Sequence, residues 1–537
     1  MMAKLSASLV SGRNTGKVGY IGQQIVNHFA TVTMNDQWIS YGFQNGSPNT
    51  FIQWAGPGMQ NTHVQTHAVY VQDSWTAGRV TLSGAVRYDH SAGFFPEQTV
   101  GPNPWVPTPV VIPSKQGTRY NDLTPRGAVV YDVFGTGKTA LKFNFGKYLA
   151  AADGSSITGG LTNPLANFQT NSSPNGTGAT GGRTWQDLNT NFVVDCLVNG
   201  VLPITAVNNS AAGGDICGAG NPNFANFNTP TTTYDPAILS GWGTRPYDWN
   251  FGIQAQQQVL PRVSVDVGYF RRIFGNFSAT DNRAQSLFAQ TTQLSVPSDS
   301  RLPEGGGHPL PNPIYNVDPS QFGRTDNLVN LTRNLGLHQL QHWNGVEVNV
   351  SARVRNGLTL SGGTSTGRTS TDTCEVRAAF PETAPTNPYC HVDNPFLTQV
   401  KGLASYVIPK IDVSVSSAFQ SIPGANLAAN YTIPAAQLSA AFGRAATGVT
   451  TVNLVAPGTL QGDRINQIDI RAGKIVRFRG FRTQFSVDLY NALNVNPIQT
   501  YQQTFIIPAP VTGSSSWLAP QGILPARFAK FTAQFDF

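Results

Sequence analysis

The segment 187–195 carries oxygen-bearing side chains at a spacing that suits a metal ion. These side chains, at relative positions 1, 3, 5 and 9, are Asp187, Asn189, Asn191 and Asp195. Carboxylate and amide oxygens at this spacing match the first part of a calcium-binding loop. The match is partial, because Phe192 replaces the expected glycine and Val198 replaces the expected terminal glutamate. The segment predicts a calcium site, and the alternative is an asparagine-rich turn.

Four cysteines fall as two local pairs in sequence rich in Asn, Gly and Pro. The pairs are Cys196 with Cys217, and Cys374 with Cys390. Four cysteines allow three pairings, and the local pairing closes two short loops. Because loops that face an oxidising space form disulfides, we predict both local bonds. The alternative is four reduced thiols in a cytosolic enzyme. The sequence contains no CxxC motif and no Cys/His zinc spacing.

The segment 134–139, Phe-Gly-Thr-Gly-Lys-Thr, superficially resembles a phosphate-binding loop. That motif requires a glycine five residues before its second glycine, and Asp132 occupies this position. The motif also requires a following helix, whereas Leu141, Phe143 and Phe145 alternate with polar residues as in a strand. We therefore predict a glycine-rich hairpin turn.

The eight histidines include two pairs at i,i+4, His63 with His67 and His338 with His342. On a helix either pair could share a zinc ion. The local pattern favours strands, on which residues at this spacing stand about 13 Å apart. No Gly-x-Ser-x-Gly nucleophile motif is present, and no carboxylate pair stands out. We predict that the chain is not an enzyme.

The composition excludes several classes of protein. Charged residues make up 12% of the chain, well below the usual fraction of roughly 25%. Hydrophobic residues make up 40%, yet no run approaches the roughly 20 apolar residues of a transmembrane helix. The net charge of +7 is scattered, so we expect no nucleic-acid partner. Outer-membrane barrels and secreted all-β proteins both have such a composition. Residues 1–10 lack the features of a signal peptide, which predicts a fragment or a misplaced start.

The last residues of the chain alternate strictly in polarity. Phe531, Ala533, Phe535 and Phe537 fall on one face of a strand, and polar residues fall on the other. This apolar face needs an apolar solvent, because nothing in the printed sequence follows to cover it. A bilayer supplies that solvent, and a closed barrel is the sheet that pairs every backbone group within it. The alternative is the final strand of a soluble β-domain.

A hairpin of two alternating strands recurs along the chain and defines the expected architecture. Short turns join the two strands of each hairpin, as at 76–79, 135–137 and 260–262. Long stretches separate the hairpins, at roughly 91–123, 149–246, 275–340, 369–396, 422–463 and 493–525. Such loops are unusual in a compact soluble domain. Short turns on one side and long loops on the other are typical of a bacterial outer-membrane barrel.

We expect about 17 strands, an odd number, although bacterial barrels usually have an even number. The first four are placed near Lys4–Val10, Lys17–Gln24, Gln37–Phe43 and Thr50–Ala55. With the last strand running toward the short-turn, periplasmic side, an odd count makes the first strand run the same way. The sequence therefore predicts missing N-terminal strands, poor pairing between the terminal strands, and an open, polar lumen.

The alternation assigns a direction to individual side chains. Phe143, Val265, Val348 and Val487 are expected to face lipid, and Lys142, Asp266, Glu347 and Asp488 are expected to face the lumen. The aromatic residues Trp242, Tyr247 and Trp249 lie where a strand is expected to enter a long loop. They predict an aromatic girdle at the membrane interface, and the alternative is a ligand-facing patch that stacks on sugar rings.

Two segments resemble motifs of TonB-dependent outer-membrane receptors. The segment 67–75 with 82–89 is similar to their "YxQDxW…GxRYD" hairpin, and Asp488–Asn494 is similar to their "DxYNxxN" strand. The Oar-like subgroup is the most similar in character. The resemblance covers most of the chain, but the plug domain and the TonB box of these receptors are absent from the sequence.

The resemblance implies that residues 1–537 form a single outer-membrane β-barrel domain, the C-terminal part of a larger receptor. It implies energy-coupled uptake of an unknown large nutrient in the outer membrane of a Gram-negative cell. The implied partners are membrane lipid, the TonB complex through a plug missing here, and the barrel-assembly machinery, which reads the terminal Phe531, Phe535 and Phe537. No cofactor is expected except calcium in a loop. The alternatives are a surface or adhesion barrel without transport, and a secreted soluble lectin-like β-protein.

Overall fold

One antiparallel sheet, built from the long alternating segments, dominates the structure. The computed structural model describes residues 1–31, 38–151, 163–174, 181–285, 288–317, 320–321, 324–354, 357–384, 386–443, 450–478, 481–507 and 516–536. The long strands of the main sheet are β1 (Met2–Ser11), β2 (Asn14–Thr31), β3 (Gly58–Ala77), β4 (Val80–Phe95), β5 (Lys115–Asp132), β6 (Thr139–Leu149), β7 (Tyr247–Leu260), β8 (Val263–Gly275), β9 (Leu340–Arg353), β10 (Leu358–Asp372), β11 (Leu397–Ile408), β12 (Val413–Ile422), β13 (Ile465–Phe478), β14 (Phe481–Tyr490) and β15 (Phe528–Asp536). The predicted all-β fold with a large antiparallel sheet is confirmed.

Each long strand from β2 to β14 pairs with the long strand before it and the long strand after it, and β1 and β15 each pair with one long strand. Four short strands bring the main sheet to 19 strands, and they are Gln98–Val100, Val110–Ile112, Ser240–Trp242 and His391–Asp393. Within the described residues, β1 and β15 are not paired with each other. The ladder therefore does not close between these two strands.

The connections between strands differ sharply in length at the two ends of the main sheet. At one end, short turns lie at 12–13, 78–79, 133–138, 261–262 and 409–412, and the connections from β9 to β10 and from β13 to β14 are also only four and two residues long. The other end has long connections, at 32–57, 96–114, 150–246, 276–339, 373–396, 423–464 and 491–527. The predicted asymmetry is thus present. Strands β1 and β15 both run toward the short-turn end, as the sequence predicts.

Two of the long connections join to form a separate small sheet, which we call the loop sheet. Its strands are Ile39–Gln44, Ser47–Gln53, Arg183–Gln186, Val207–Asn208 and Ile216–Cys217. The segments Gln37–Phe43 and Thr50–Ala55, predicted as wall strands, therefore contribute to the loop sheet instead of the main sheet. They form a hairpin as a wall pair would, but they are too short to span the wall. Their outer partner is the strand at Arg183.

Outside the loop sheet, the long connections contain further regular structure and packed cores. Their short strands are Thr232–Tyr234, Ser278–Asn282, Phe288–Thr292, Ile314–Val317, Asn327–Leu331, Asn430–Thr432, Thr451–Asn453, Ile498–Tyr501, Thr504–Phe505 and Pro520–Ile523. The α-helices are α1 (Pro236–Leu239), α2 (Cys374–Ala379) and α3 (Ala435–Phe442), and the 3-10 helices are Pro164–Asn167, Ser210–Ala212, Arg283–Gln285, Pro303–Gly305, Thr332–Leu335 and Pro381–Thr383. In the described part of the chain, no helix is long and apolar enough to cross a membrane. The largest buried cluster joins three connections through residues such as Ile314, Tyr431 and Phe505.

Candidate functional site

The main sheet has one apolar face and one polar face. Directly paired residues share a face of an antiparallel sheet, and Phe143 pairs with Ile253 while Val348 pairs with Val267. On the opposite face, Asp266 pairs with Asn349. The pairing registers continue across the sheet. They place the four residues predicted to face lipid on the apolar face and the four predicted to face the lumen on the polar face.

The final strand β15 continues the apolar face. Phe531 pairs with Val487, and its side chain is 78% exposed. Phe535 lies on the same face and its ring centroid is 6.4 Å from that of Phe485. Phe537, the third predicted aromatic of the terminal pattern, lies outside the described residues. The two described aromatics therefore extend an exposed apolar surface to the edge of the main sheet.

Ion pairs are characteristic of the polar face. Lys142 Nζ lies 3.6 Å from Asp266 Oδ2, although β7 separates their strands. Side chains can reach across an intervening strand in this way on the concave side of a curved sheet. Asp89 accepts a bond of 2.7 Å from Arg87, and Asp488 is paired with Arg471. The polar face thus carries charged side chains, several of which are neutralised in pairs.

A hollow of about 620 Å³ lies against this face over strands β7 to β11. Its polar lining includes Gln256, Asp266, Glu347, Asn349, Gln399 and Lys401. Amides, carboxylates and an amine supply both hydrogen-bond donors and acceptors. Such a surface can bind a polar solute or hold water.

A second hollow of about 480 Å³ contains aromatic residues that the sequence analysis missed. Its lining includes Phe270, Phe274 and Trp343, which share the polar face with Glu347. The available signal was an aromatic residue two positions from a glycine, as in Gly268-x-Phe270 and Trp343-x-Gly345. This pattern is informative only once the pairing register is known.

The aromatic residues predicted for the strand entrance lie on the apolar side. Trp249 is 6.4 Å from Phe145 and 6.1 Å from Phe251 between ring centroids. Lys147 Nζ lies 4.6 Å from the ring centroid of Tyr247. Trp242 is 63% exposed and stacks loosely on Tyr88 at 5.6 Å. The structure does not bring these rings onto the polar face, and this placement favours a girdle over a ligand patch.

The four residues of the calcium motif lie in one exposed loop. The backbone N–H of Phe192 donates to Asp187 Oδ2 at 2.9 Å, while Asp187 Oδ1 is buried without a hydrogen-bond partner. Phe192 has φ of 59°, the left-handed conformation for which such loops use glycine. The amides of Asn189 and Asn191 donate to Asp195 Oδ2 at 2.6 and 3.3 Å. The loop thus has a partly suitable donor set, in which Asp195 is already hydrogen-bonded.

Both cysteine pairs are bonded in the structure, as Cys196–Cys217 and Cys374–Cys390. The first bond lies in the core of the loop sheet beside Phe51 and Trp185. Trp185 Nε1 donates to Asp215 Oδ2 at 2.8 Å. Burial raises the pKa of the Asp215 carboxyl, and this hydrogen bond opposes the shift. The Cys196–Cys217 disulfide therefore cross-links a core that also contains a buried acidic residue, Asp215.

The remaining motifs occupy structural positions. The turn after β5 is a hairpin turn, in which the Asp132 carboxylate accepts the N–H groups of Gly135 and Gly137. His67 bonds to the Tyr20 hydroxyl, and His338 bonds to Glu375. Across the described ranges, no group of three or more His, Cys, Asp or Glu side chains could hold a metal ion.

No protein-family model matches the sequence, and no curated protein matches it. Solved structures of outer-membrane proteins are similar to it. The ferric-catecholate import receptor Fiu from E. coli K12 has 10% identity and a TM-score of 0.44, over 100% of this chain and 54% of that one. The outer membrane transporter YddB from Escherichia coli has 9% identity and a TM-score of 0.47, over 98% of this chain and 62% of that one. The ferric yersiniabactin uptake receptor FyuA from Yersinia pestis has 10% identity and a TM-score of 0.40, over 99% of this chain and 57% of that one. The chain thus spans just over half of the length of these structures.

Proposed function

We propose that this chain forms the wall of an outer-membrane β-barrel that takes part in the uptake of a large nutrient. The observation that carries the proposal is an exposed apolar face on a sheet whose other face is polar. Ile253 and Phe485, for example, are 61% and 52% exposed. Large contiguous apolar surfaces are rare on soluble monomers, whereas lipid accommodates them.

The asymmetry of the connections supports the same proposal. Short turns at one end and long, packed connections at the other are the arrangement of bacterial outer-membrane barrels. Lipid would then contact the apolar face, and the polar face would line the lumen. We place the short turns in the periplasm and the long connections outside the cell. The outer membrane of a Gram-negative cell is the proposed location.

The proposal includes energy coupling through TonB, and this part rests on the two segments that resemble receptor motifs. Asp89 and Asp488, which end and begin the two receptor-like motifs, both form ion pairs with arginines on the polar face. We propose that this wall works with a plug and the TonB complex, and that the barrel-assembly machinery recognises the C-terminal aromatic residues. The proposed role is not enzymatic. The nutrient class is taken up in the next subsection.

Extraction and gel mobility test the membrane proposal. The chain is expected to partition into detergent and to migrate differently on gels with and without heating, because a folded barrel resists detergent until it is boiled. The cysteine-containing loops should not affect this result, so a reduced sample is the control. A chain that stays soluble without detergent and shows one mobility would instead be a secreted β-protein.

Conductance separates transport from adhesion. A wall that lines an open lumen should produce steps of ion current in a planar bilayer. A chain that inserts, shows heat-dependent mobility and never conducts would favour a surface or adhesion barrel.

Calcium binding at Asp187–Asp195 is a separate proposal, favoured by the partnerless Asp187 Oδ1 and the left-handed Phe192. Calcium is expected to stabilise the native protein by about 2.7 kcal/mol at a hundredfold excess over Kd. Calorimetric titration of chelator-treated protein would measure the binding. Asp187→Asn should abolish it, whereas Asp326→Asn, in another loop, should leave it unchanged. Equal heats in both variants would contradict the proposal.

A further inference from the structure

Trp343 lies on the polar face, directly over a pair of glycines. Gly345 and Gly367 are directly paired between β9 and β10. A Cβ atom on Gly345 would stand 2.3 Å from Trp343 Cη2, and one on Gly367 would stand 2.4 Å from Cζ2. Both distances are impossible contacts for real atoms, so any side chain at either position would lift the indole. The two glycines therefore permit one face of the ring to rest on the backbone.

Phe270 has the same arrangement one strand away. A Cβ atom on Gly268 would stand 2.7 Å from Phe270 Cε2, and one on Gly252 would stand 3.1 Å from Cδ1. Phe270 pairs with Gly345 across β8 and β9. Its ring lies over β7 and β8, whereas the indole of Trp343 lies over β9 and β10. Gly252, Gly268 and Gly345 are all buried beneath them. Two aromatic faces are thus presented to the 480 Å³ hollow.

Polar groups surround these rings. The lining includes the amides of Asn144, Asn250 and Gln341, together with Glu347 and Thr369. Arg272 also lines the hollow, but its guanidinium is paired with Asp248 at 2.8 Å. Glu347 also lines the hollow and accepts a bond from Ser365 at 3.3 Å. The remaining charged residue of the lining is Arg271, which pairs with Phe251 and so lies on the apolar face of the strand. The polar-face side of the hollow therefore combines aromatic rings with neutral donors and acceptors, and the guanidinium of Arg272 on that face is already paired with a carboxylate.

We propose that Trp343 and Phe270 form a stacking platform for a neutral saccharide. A sugar ring has an apolar C–H face that packs on an aromatic ring, and hydroxyls at its edge that both donate and accept. The amides of Asn144, Asn250 and Gln341 supply both functions. An anionic ligand should bind more weakly, because the guanidinium of Arg272 already forms an ion pair with Asp248. The inference rests on the proposed function, since it takes the polar face as the lumen through which the nutrient passes.

Calorimetric titration of the full chain tests this platform, in a detergent without a sugar headgroup. The probes are maltohexaose, cellohexaose and chitohexaose. At least one is expected to bind saturably. Trp343→Ala and Phe270→Ala should each weaken binding on the order of tenfold, as loss of one stacking ring does elsewhere. Gly268→Ala retains both rings but displaces the ring of Phe270, because the three atoms nearest the added Cβ all belong to side chains and Phe270 Cε2 would stand 2.7 Å away. It should weaken binding similarly.

Controls separate a stacking role from a structural one. Trp249→Ala removes a ring from the apolar face and should leave binding unchanged. Gly84→Ala repeats the glycine substitution where no atom lies within 4 Å, and should also have no effect. Trp343→Phe keeps a smaller ring and should bind with intermediate affinity, which preserves the test if the alanine variant misfolds. Heat-dependent mobility of each variant confirms its fold before titration.

Three results would overturn the inference. They are the absence of binding by every saccharide probe, binding unchanged in both ring variants, and binding of a planar aromatic acid in place of saccharide. If the chain passes the detergent and mobility tests but gives any of these results, the saccharide platform is contradicted and the proposed membrane function is not. A chain that stays soluble without detergent loses the proposed function, whatever it binds.

Discussion

Arginine in place of Val348 is expected to destabilise the membrane-inserted chain by about 2–4 kcal/mol, because the charge would enter the lipid-facing side of a wall strand. Val348 lies within β9, opposite Val267 of β8 and Thr364 of β10, on the apolar face. No ion-pair partner is directly opposite on either neighbouring strand. Urea titration of protein folded into lipid vesicles would measure the loss as a lower transition midpoint.

The neighbouring residue Asn349 provides a matched control. Asn349 lies on the polar face, beside Asp266, so Asn349→Arg introduces the same side chain into the lumen and should cost little. Both variants change one residue of the same strand to the same amino acid. A larger loss for Asn349→Arg than for Val348→Arg would mean that the assignment of the two faces is reversed.

Replacing Cys196 and Cys217 together with serine is expected to destabilise the loop sheet by about 3 kcal/mol. The bond joins residues 21 apart in sequence and is buried in a small core beside Phe51 and Trp185. A core of this size depends on a covalent cross-link more than a large one does. Chymotrypsin cleavage within 181–217 should accelerate, while the main sheet keeps its heat-dependent mobility.

Removal of the other disulfide is the control for this effect. Serine at Cys374 and Cys390 changes a different connection, so it should leave cleavage within 181–217 unchanged. Thiol labelling of the folded wild-type protein should modify none of the four cysteines. Rapid labelling of all four, or an unchanged cleavage rate in the first double variant, would contradict the predicted role of the bond.

The main sheet was predictable because its signals are local. Alternation with a period of two fixes which residues share a face, and a short turn fixes which strands pair. Both kinds of signal are present from Val80 to the end of the chain. The segments 37–43 and 50–55 carry the same local signals, joined by the tight turn at Asn45-Gly46. Their position in the loop sheet depends on the strand at Arg183, more than a hundred residues away, and no local pattern records that partner.

Some candidate sites can likewise be found from a local sequence pattern, and others only from the pairing of strands. The cysteine pairs lie close in sequence, and the structure bonds them locally. The calcium motif is contiguous, and its loop could be located without knowledge of the fold. The ring at Trp343 differs, because it needs Gly367 on the next strand as well as Gly345 on its own. Register places that second glycine, and register is specified only when whole strands have paired.

The loop sheet has a mechanical consequence for the rim of the wall. Pairing of Arg183 with Phe51 fastens the connection that leaves β2 to the one that leaves β6. The side chain of Arg183 strengthens this junction by donating to Gln53 Oε1 at 2.5 Å. A force applied to either connection must therefore displace both. The two connections therefore move as one rigid unit that is attached to the ends of β2, β3, β6 and β7. A solute that binds to one connection would displace the other as well.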